Sequence, residues 1–328
     1  MPLHPARLLR SLSAAIALGP ALLATAAAAP YAYITNQGEH SVTVFDLAAR
    51  KVTATVPVAQ SPAGVVAVGR AGKVFVTAPG SNAVSVIDMR SQRVVDTLPA
   101  GAGAVGIDAA PDGTRVYVAD WFGGRLLGFD TATHRETLRV AVGDAPAGVA
   151  VSADGRHVFV AERDNDLVAV IDVAAAAVVA RVPTESHPFA LLLDAPRARL
   201  YALNVYSNSV SVIDVRDATR PQRLAVLEVG KAPYGAALAD GGRRLYVTNQ
   251  LDDSVSVIDP ERLSLVQTLG GFAYPEGVAS AGDRVLVVNW MDDNLVVLDA
   301  ATGRPLQTVA TGSNPRGFGA FIGEPAPR

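Results

Sequence analysis

The amino-acid sequence predicts an all-β fold, a seven-bladed β-propeller of four-stranded blades. A phrase close to Val-Ser-Val-Ile-Asp occurs seven times, a Pro-x-Gly phrase keeps the same spacing, and each interval contains four short apolar runs. The repeat aspartates follow one another at about 42 residues, at Asp46, Asp88, Asp130, Asp172, Asp214, Asp259 and Asp299. Four short strands per repeat of this length indicate propeller blades and not helical repeats.

Within each repeat the first strand follows Pro-x-Gly, and a turn such as Asp112-Gly113 joins it to the second strand. Asp-Gly supplies the positive-φ residues that a tight hairpin requires. The third strand alternates polar and apolar residues and ends at the repeat aspartate, whose carboxylate we expect to accept backbone N–H groups of the next turn. The fourth strand is an apolar run such as 263–269.

The two ends of the repeat region predict how the ring closes. The repeats start with a second strand at 31–35, and the missing first strand occurs at the other end, at 315–321. We therefore expect the C-terminal strand to complete blade one, so that no sheet edge is free. Glycines that follow the Pro-x positions should lie near the axis, where Cβ atoms would crowd.

The first 28 residues predict a secretory signal peptide. Two arginines form a basic start, residues 12–23 are apolar, and the alanines that follow offer small-residue cleavage sites. We expect a cut after Ala26 or Ala28, one propeller domain over 29–328, and a periplasmic or secreted protein with no membrane span. The chain has no cysteine, which excludes disulfides, a lipid-anchored cysteine and thiolate metal sites.

The composition agrees with this architecture and limits the partners. Half of the 328 residues are hydrophobic, only 18% are charged, and small aliphatic residues suit strands that are buried on both faces. The formal net charge is −3, which does not favour a nucleic acid or an anionic membrane as partner.

The tetrapeptide Tyr246-Val247-Thr248-Asn249 and the repeats around it resemble the YVTN β-propeller repeat proteins, over all of the mature chain. The resemblance implies a seven-bladed exported protein similar to the bacterial periplasmic YncE-like members. It implies little about activity, because members are described mainly as binding and surface proteins and a fold does not determine function. We expect the asparagine of the tetrapeptide to cap the loop that leads to the third strand.

Positions at which the repeats differ predict a binding site. In a propeller, the loops from strand two to three and from strand four to one share one face around the channel. Nine residues before the repeat aspartate, blades three and seven carry the only tryptophans of the chain, and the middle residue of Pro-x-Gly also varies. Exposed loop aromatics typically bind ligands or partners. The candidate ligand-binding residues are Trp121, Arg163, Tyr234, Gln250, Tyr274, Glu276, Trp290 and Arg316.

Structural alternatives accompany these assignments. Each tryptophan could fold over a neighbouring blade, and Glu276 could pair with Arg316 of the adjacent blade instead of contacting a ligand. The motifs Asp252-Asp253 and Asp292-Asp293 resemble calcium ligands, but Ser207-Asn208 fills the same slot in another blade, which favours Asx-turns over calcium.

The sequence favours a non-catalytic binding protein without deciding against an enzyme. The alternative is a lactonase-like hydrolase or lyase at the axial mouth with His187 or Glu276 as general base; a third is a structural surface protein. No nucleophile elbow or phosphate-binding glycine loop is present, and no resident cofactor or metal is predicted. We expect a monomer that binds a small ligand or a periplasmic protein or peptide.

Overall fold

The computed structural model describes Met1 and residues 30–325, so that nearly all of the expected signal peptide lies outside the described residues. The described chain forms seven four-stranded antiparallel sheets, which are the seven predicted blades. Among these residues no helix has the length and apolar character that crossing a membrane requires.

The strands follow one another blade by blade. Blade one contains β1 (Tyr31–Asn36), β2 (Ser41–Asp46) and β3 (Lys51–Pro57). Blade two contains β4 (Val65–Val68), β5 (Lys73–Ala78), β6 (Ala83–Asp88) and β7 (Arg93–Pro99). Blade three contains β8 (Ala104–Ala109), β9 (Arg115–Asp120), β10 (Arg125–Asp130) and β11 (Glu136–Ala141). Blade four contains β12 (Pro146–Val151), β13 (His157–Glu162), β14 (Leu167–Asp172) and β15 (Ala177–Pro183).

Blade five contains β16 (Pro188–Asp194), β17 (Arg199–Asn204), β18 (Ser209–Asp214) and β19 (Gln222–Glu228). Blade six contains β20 (Pro233–Ala239), β21 (Arg244–Asn249), β22 (Ser254–Asp259) and β23 (Ser264–Gly270). Blade seven contains β24 (Pro275–Ala281), β25 (Arg284–Asn289), β26 (Asn294–Asp299) and β27 (Pro305–Ala310), and β28 (Ile322–Gly323) returns to blade one. Within residues 30–325, five single-turn 3₁₀ helices lie in loops, at Gly69–Ala71, Pro79–Ser81, Arg163–Asn165, Ala195–Arg197 and Gln250–Asp252.

The C-terminal segment closes the ring as predicted, but its regular strand is β28 at 322–323, and the predicted strand 315–321 forms only isolated bridges, at Pro315 and Phe318. β28 pairs antiparallel with β1, and the N–H of Arg316 donates to the carbonyl oxygen of Thr35 at 2.8 Å. On its other side the same segment lies parallel to blade two, because the N–H of Val65 donates to the carbonyl oxygen of Phe318 at 2.8 Å. The closing segment, residues 315–323, therefore joins the first blade to the second through backbone hydrogen bonds on both sides.

The glycines of Pro-x-Gly lie where neighbouring inner strands almost touch, as expected. A Cβ atom on Gly106 would lie 1.9 Å from the carbonyl oxygen of Ala147, and one on Gly148 would lie 2.4 Å from that of Phe189. Each contact joins one blade to the next. These glycines therefore form most of a narrow ring around the axis, in which blade five carries Ala190, and a side chain at Gly106 or Gly148 would require the backbone to move.

The tetrapeptide motif joins strands and blades. The hydroxyl of Thr248 donates to the carbonyl oxygen of Glu276 in the next blade at 2.6 Å. The amide of Asn249 donates to the hydroxyls of Ser254 and Ser256, each at 3.0 Å. The expectation that this asparagine caps a loop is therefore wrong: its amide lies buried inside the sheet and binds the third strand, where alternate serines supply the acceptors.

The repeat aspartates have the predicted role. The carboxylate of Asp46 accepts the N–H groups of Ala48 and Ala49 at 2.9 and 2.8 Å. The same kind of hydrogen bond, from Arg262, helps to hold the pKa of Asp259 below its usual value. The third strand thus ends in a turn that its own last side chain stabilises.

Blades three and four carry an acid at the position that Asn249 occupies in blade six, and each acid pairs with an arginine. Asp120 accepts a hydrogen bond from Nε of Arg125 at 2.7 Å, and Glu162 accepts one from Nε of Arg181 at 2.9 Å. Both carboxylates are buried. Because an unpaired buried charge is strongly unfavourable, each acid depends on its arginine.

Candidate functional site

The loops from the second to the third strand form one face of the ring, which we name the crown face; they are residues 37–40, 79–82, 121–124, 163–166, 205–208, 250–253 and 290–293. The predicted residues Trp121, Arg163 and Trp290 lie on this face and are half-buried, whereas Gln250 is buried. The structure therefore places these residues in the expected loops, but their side chains turn partly inward.

The next residue along each loop is the exposed one. Phe122, Tyr206, Leu251 and Met291 expose 78%, 64%, 63% and 61% of their surface. They come from blades three, five, six and seven, and we name them the apolar crown. Sequence reasoning missed them because it took the loop position one residue earlier. The signal was present, since this position is glycine in blades one and two and large and apolar in these four.

A stack of side chains connects blades three, four and five. The guanidinium carbon of Arg163 lies 5.5 Å from the ring centre of Trp121 and 5.2 Å from that of Tyr206. The ring of His187 stacks on Tyr206, with 4.0 Å between centres. Arg163 also pairs with Asp164, so its charge is balanced within its own loop. The stack fixes Tyr206 at the surface, where its outer part remains exposed.

An aromatic plug closes the channel at the crown face. The ring centres of Phe189 and Tyr234 are 4.8 Å apart, and Phe318 of the closing segment lies 5.0 Å from the first and 5.6 Å from the second. Val105 of blade three packs against the same cluster. Because these residues come from blades three, five, six and one, their side chains meet across the axis.

A buried polar network lies beside the plug. Nη1 of Arg316 donates to the hydroxyl of Tyr234 at 2.8 Å, and its Nε donates to Oε1 of Gln37 at 2.9 Å. The same Nε lies 3.7 Å from Oε2 of Glu276, while the amide of Gln250 donates to Oε1 of that carboxyl at 2.9 Å. Glu276 of blade seven and Arg316 of blade one therefore pair between adjacent blades. This pairing is the structural alternative to ligand contact that the sequence offered for these two residues.

Burial sets the protonation behaviour of this network. Desolvation raises the pKa of Glu276 to about 7, although Arg316 and Gln250 act in the opposite direction. Desolvation also raises the pKa of Tyr234, and the nearby Glu276 carboxyl adds to the effect. Oε2 of Glu276 has no hydrogen-bond partner among the described residues. This carboxyl is therefore buried, with one oxygen free of hydrogen bonds within residues 30–325 and a pKa raised well above the usual value of a glutamate.

The two candidate general bases belong to separate networks. His187 has Nδ1 2.8 Å from the hydroxyl of Ser186, and its ring nitrogens lie 3.9 and 3.8 Å from the carboxylates of Asp164 and Asp166. The contacts of Glu276 are instead with Gln250 and Arg316. The structure does not join the imidazole and this carboxyl into one hydrogen-bonded pair.

Tyr274 and Trp290 form a separate aromatic pair between blades six and seven. Their ring centres are 5.4 Å apart, and the indole nitrogen of Trp290 is buried without a hydrogen-bond partner among residues 30–325. The structure therefore divides the eight predicted residues into three groups. These are the stack with Trp121 and Arg163, the network with Tyr234, Gln250, Glu276 and Arg316, and this pair.

Two of the paired aspartates, Asp253 and Asp293, bind backbone N–H groups 21 residues further along the chain, and not those of their own turns as the expected Asx-turns would. Asp253 accepts the N–H of Tyr274 at 2.8 Å, and Asp293 accepts the N–H of Asn314 at 2.7 Å. Each bond joins a loop to the start of the following blade. In the part of the chain that the structure describes, no cluster of three or more His, Asp or Glu side chains could hold a metal ion.

Comparisons with solved structures support the fold. The chain is similar to Kuenenia stuttgartiensis hydrazine synthase, with a TM-score of 0.72 and 19% identity over 88% of this chain and 99% of that one. It is similar to a functionally unknown protein from Desulfotomaculum acetoxidans, with a TM-score of 0.74 and 14% identity over 90% and 99% of the two chains. It is also similar to the dihydro-heme d1 dehydrogenase NirN in complex with DHE, with a TM-score of 0.66 and 18% identity over 92% and 77%. These identities show a shared fold only.

A comparison with curated proteins gave no significant match. The sequence profile of the YNCE-like β-propeller family, in contrast, matches residues 20–154 and 139–328, which together include all seven blades. With the repeat pattern, the closed ring and the tetrapeptide motif, this match establishes that the chain belongs to the YNCE-like β-propeller family.

Proposed function

We propose that this protein is a non-catalytic binding protein of the periplasm or the exterior, and that its crown face binds a basic, apolar segment of a peptide or protein. The apolar crown is the observation that carries this proposal. Large exposed apolar side chains are unfavourable in water, and when they cluster on one face they usually mark an interaction site. Here four of them occupy one structural position in four blades.

The charge of the crown face supports a basic partner. The loops of blades four, six and seven carry Asp164, Asp166, Asp252, Asp253, Asp292 and Asp293. The nearby cations are already paired, since Arg163 contacts Asp164 and Nζ of Lys231 lies 3.7 Å from Asp252. Leu251 and Met291 are each followed directly by two aspartates. A segment with both apolar and basic side chains would therefore find complementary groups side by side.

The shape of this face favours a peptide over a small molecule. The plug of Phe189, Tyr234 and Phe318 fills the axial mouth, so that a compact ligand finds no deep entry there. The crown residues are distributed around the ring instead. A broad apolar surface with a polar rim resembles a protein interface.

The tryptophans provide a site-specific test, because the chain has only two and both lie on the crown face. The mature protein would be titrated with a synthetic peptide of lysine and leucine that lacks aromatic residues, and with a matched peptide in which glutamate replaces lysine. We expect a saturable change in tryptophan fluorescence with the lysine peptide only, and we expect it to weaken as salt rises.

Single substitutions show which tryptophan reports binding. The fluorescence change should be lost in Trp121→Phe if the peptide binds beside blade three, and in Trp290→Phe if it binds beside blade seven. An equal response to both peptides, or no response to either, would remove the proposal of a basic partner. The variant with both tryptophans replaced gives the tyrosine background. A change of the same size in that variant would show that the signal does not come from Trp121 or Trp290.

A further inference from the structure

The channel forms a second concave site below the plug, on the side away from the crown face. Its cavity measures about 630 Å³, which lies within the range of about 300 to 1,000 Å³ for small-molecule sites. The inner strands of blades three to seven and the closing segment line this cavity. Its outer end lies at the turns between first and second strands, where Pro111, Ala153 and Ala195 are exposed.

Ring closure explains why the cavity is eccentric. The closing segment hydrogen-bonds to blade two through Val65 and Ala67, and it thereby covers the inner strand of that blade. Residues 317–320 of the closing segment line the cavity in its place. One wall is thus irregular backbone, and the others are regular strands.

The side chains of the lining are mostly apolar, whereas backbone groups supply most of its polar surface. Representative side chains are Ile107, Val149, Leu191, Leu193, Leu238 and Val278. The only side-chain hydroxyl, that of Ser280, donates to the carbonyl oxygen of Leu238 at 2.6 Å and is therefore already satisfied. An apolar wall of this size favours an apolar ligand over water, because it offers few hydrogen bonds to replace those of the bulk.

Asp108 is the single charged residue of the lining. Its Oδ1 accepts the N–H of Ala109 at 2.8 Å, and its Oδ2 accepts the N–H of Val151 in blade four at 2.9 Å. These bonds fix the carboxylate in place and leave lone pairs free, since a carboxylate has about four acceptor sites. The structure thus holds one oriented negative group in an apolar chamber without a cationic side chain among its lining residues.

We propose that this cavity binds a small cationic amphiphile, with its alkyl chain against the aliphatic wall and its ammonium group on Asp108. Ionisation of the carboxyl agrees with this assignment. Burial raises its pKa to about 6, so the group is still mainly charged at neutral pH. An ammonium ion would then supply the counter-ion that this half-buried carboxylate lacks among the lining residues of the cavity.

The test compares n-octylamine and n-dodecylamine with the alcohols of the same chain length, below their micelle concentrations. Calorimetry would give Kd and thermal unfolding would give Tm for the mature protein. We expect the amines to raise Tm and to bind at least about tenfold more tightly than the alcohols, because the charged hydrogen bond adds to the apolar contact. The variant Asp108→Asn, which keeps the shape, should remove this preference.

Two further variants complete the test. Ala236→Phe places a ring in the cavity and should abolish binding of amines and alcohols alike, whereas Leu251→Ser on the crown face should leave both unchanged. If no amine binds, or if the preference for amines persists in Asp108→Asn, the proposal is wrong. Should Ala236→Phe fail to fold, the comparison of amine and alcohol in Asp108→Asn decides alone.

Discussion

The guanidinium of Arg316 in blade one donates a 2.8 Å hydrogen bond to the phenol oxygen of Tyr234 in blade six, and so passes over blade seven, which lies between them. The donor belongs to the closing segment and the acceptor to the aromatic plug. The side chain of Arg316 thus connects the segment that closes the ring to the plug that closes the channel. Its Nε also contacts Gln37 of blade one and Glu276 of blade seven.

The variant Tyr234→Phe isolates that hydrogen bond, because the ring of the plug stays in place. We expect unfolding in guanidinium chloride to show a loss of about 1–2 kcal/mol, since a buried charged donor loses its acceptor. Tyr206→Phe is the matched control, because its ring is exposed on the crown face and should change stability little. A greater loss in the control than in Tyr234→Phe would contradict the role given to the network.

The raised pKa of Glu276 leads us to expect an unusual dependence of the free energy of unfolding on pH. Its folded pKa of about 7 lies above that of an unfolded glutamate, so the folded state holds the proton more tightly. The resulting stabilisation is complete below about pH 4.5 and is lost as pH rises through 7. Asp108, with a pKa raised to about 6, acts in the same direction over a lower window.

Glu276→Gln should therefore flatten the decline in Tm between pH 5 and 8 relative to the unmodified protein, because the variant cannot titrate at this position. Below that range, six repeat aspartates act in the opposite direction. Their pKa values are lowered, so stability falls with acid in both proteins; they are Asp88, Asp130, Asp172, Asp214, Asp259 and Asp299. An unchanged slope between pH 5 and 8 in Glu276→Gln would show that this carboxyl does not titrate there.

The acid–arginine pairs of blades three and four predict unequal effects of removing arginines. Arg125→Met leaves the buried Asp120 without its counter-ion, although the N–H groups of Ala102 and Gly123 remain as donors. We expect a loss of about 2–3 kcal/mol in the free energy of unfolding. Arg139→Met on the outer strand, whose partner Glu136 is not buried, should change the free energy of unfolding little, because solvent screens an exposed ion pair. Equal losses would refute the distinction.

Two phenylalanines test the importance of the closing segment. Phe321 is fully buried in the core that joins blades one, two and seven, whereas Phe122 is mostly exposed. We expect Phe321→Ala to lower the free energy of unfolding by about 3–5 kcal/mol and Phe122→Ala to change it by less than about 0.5 kcal/mol. A mild effect of Phe321→Ala would mean that the ring tolerates a weak closure.

The fold could be predicted from the sequence because its determinants recur. Each blade repeats its strand pattern, its glycine and its aspartate, so that errors in one repeat are corrected by the others. Closure was visible for a similar reason, since the strand missing before Tyr31 reappears after Asn314. The role of Asn249 could not be predicted from the sequence, because the loop and the serines of the next strand are equally near to it along the chain.

The site was predicted less completely, for geometric reasons. The loops that carry Trp121 and Phe122 lie on one face as expected, but only the structure shows that Trp121 turns inward while Phe122 turns outward. The cavity was missed because strand residues such as Leu191 and Val278 read as ordinary core. Sequence alternation separates the two faces of a strand without saying which apolar residues face an open channel.

The most direct test of crown-face binding is calorimetric titration of the lysine–leucine peptide into two matched variants of the mature protein. One carries Phe122→Ser, Tyr206→Ser, Leu251→Ser and Met291→Ser, and the other carries Val95→Ser and Val266→Ser, which remove exposed apolar side chains from outer strands. We expect Kd to rise at least about tenfold in the crown variant and to stay unchanged in the outer-strand variant. An unchanged Kd in the crown variant, with both proteins folded, would contradict crown-face binding.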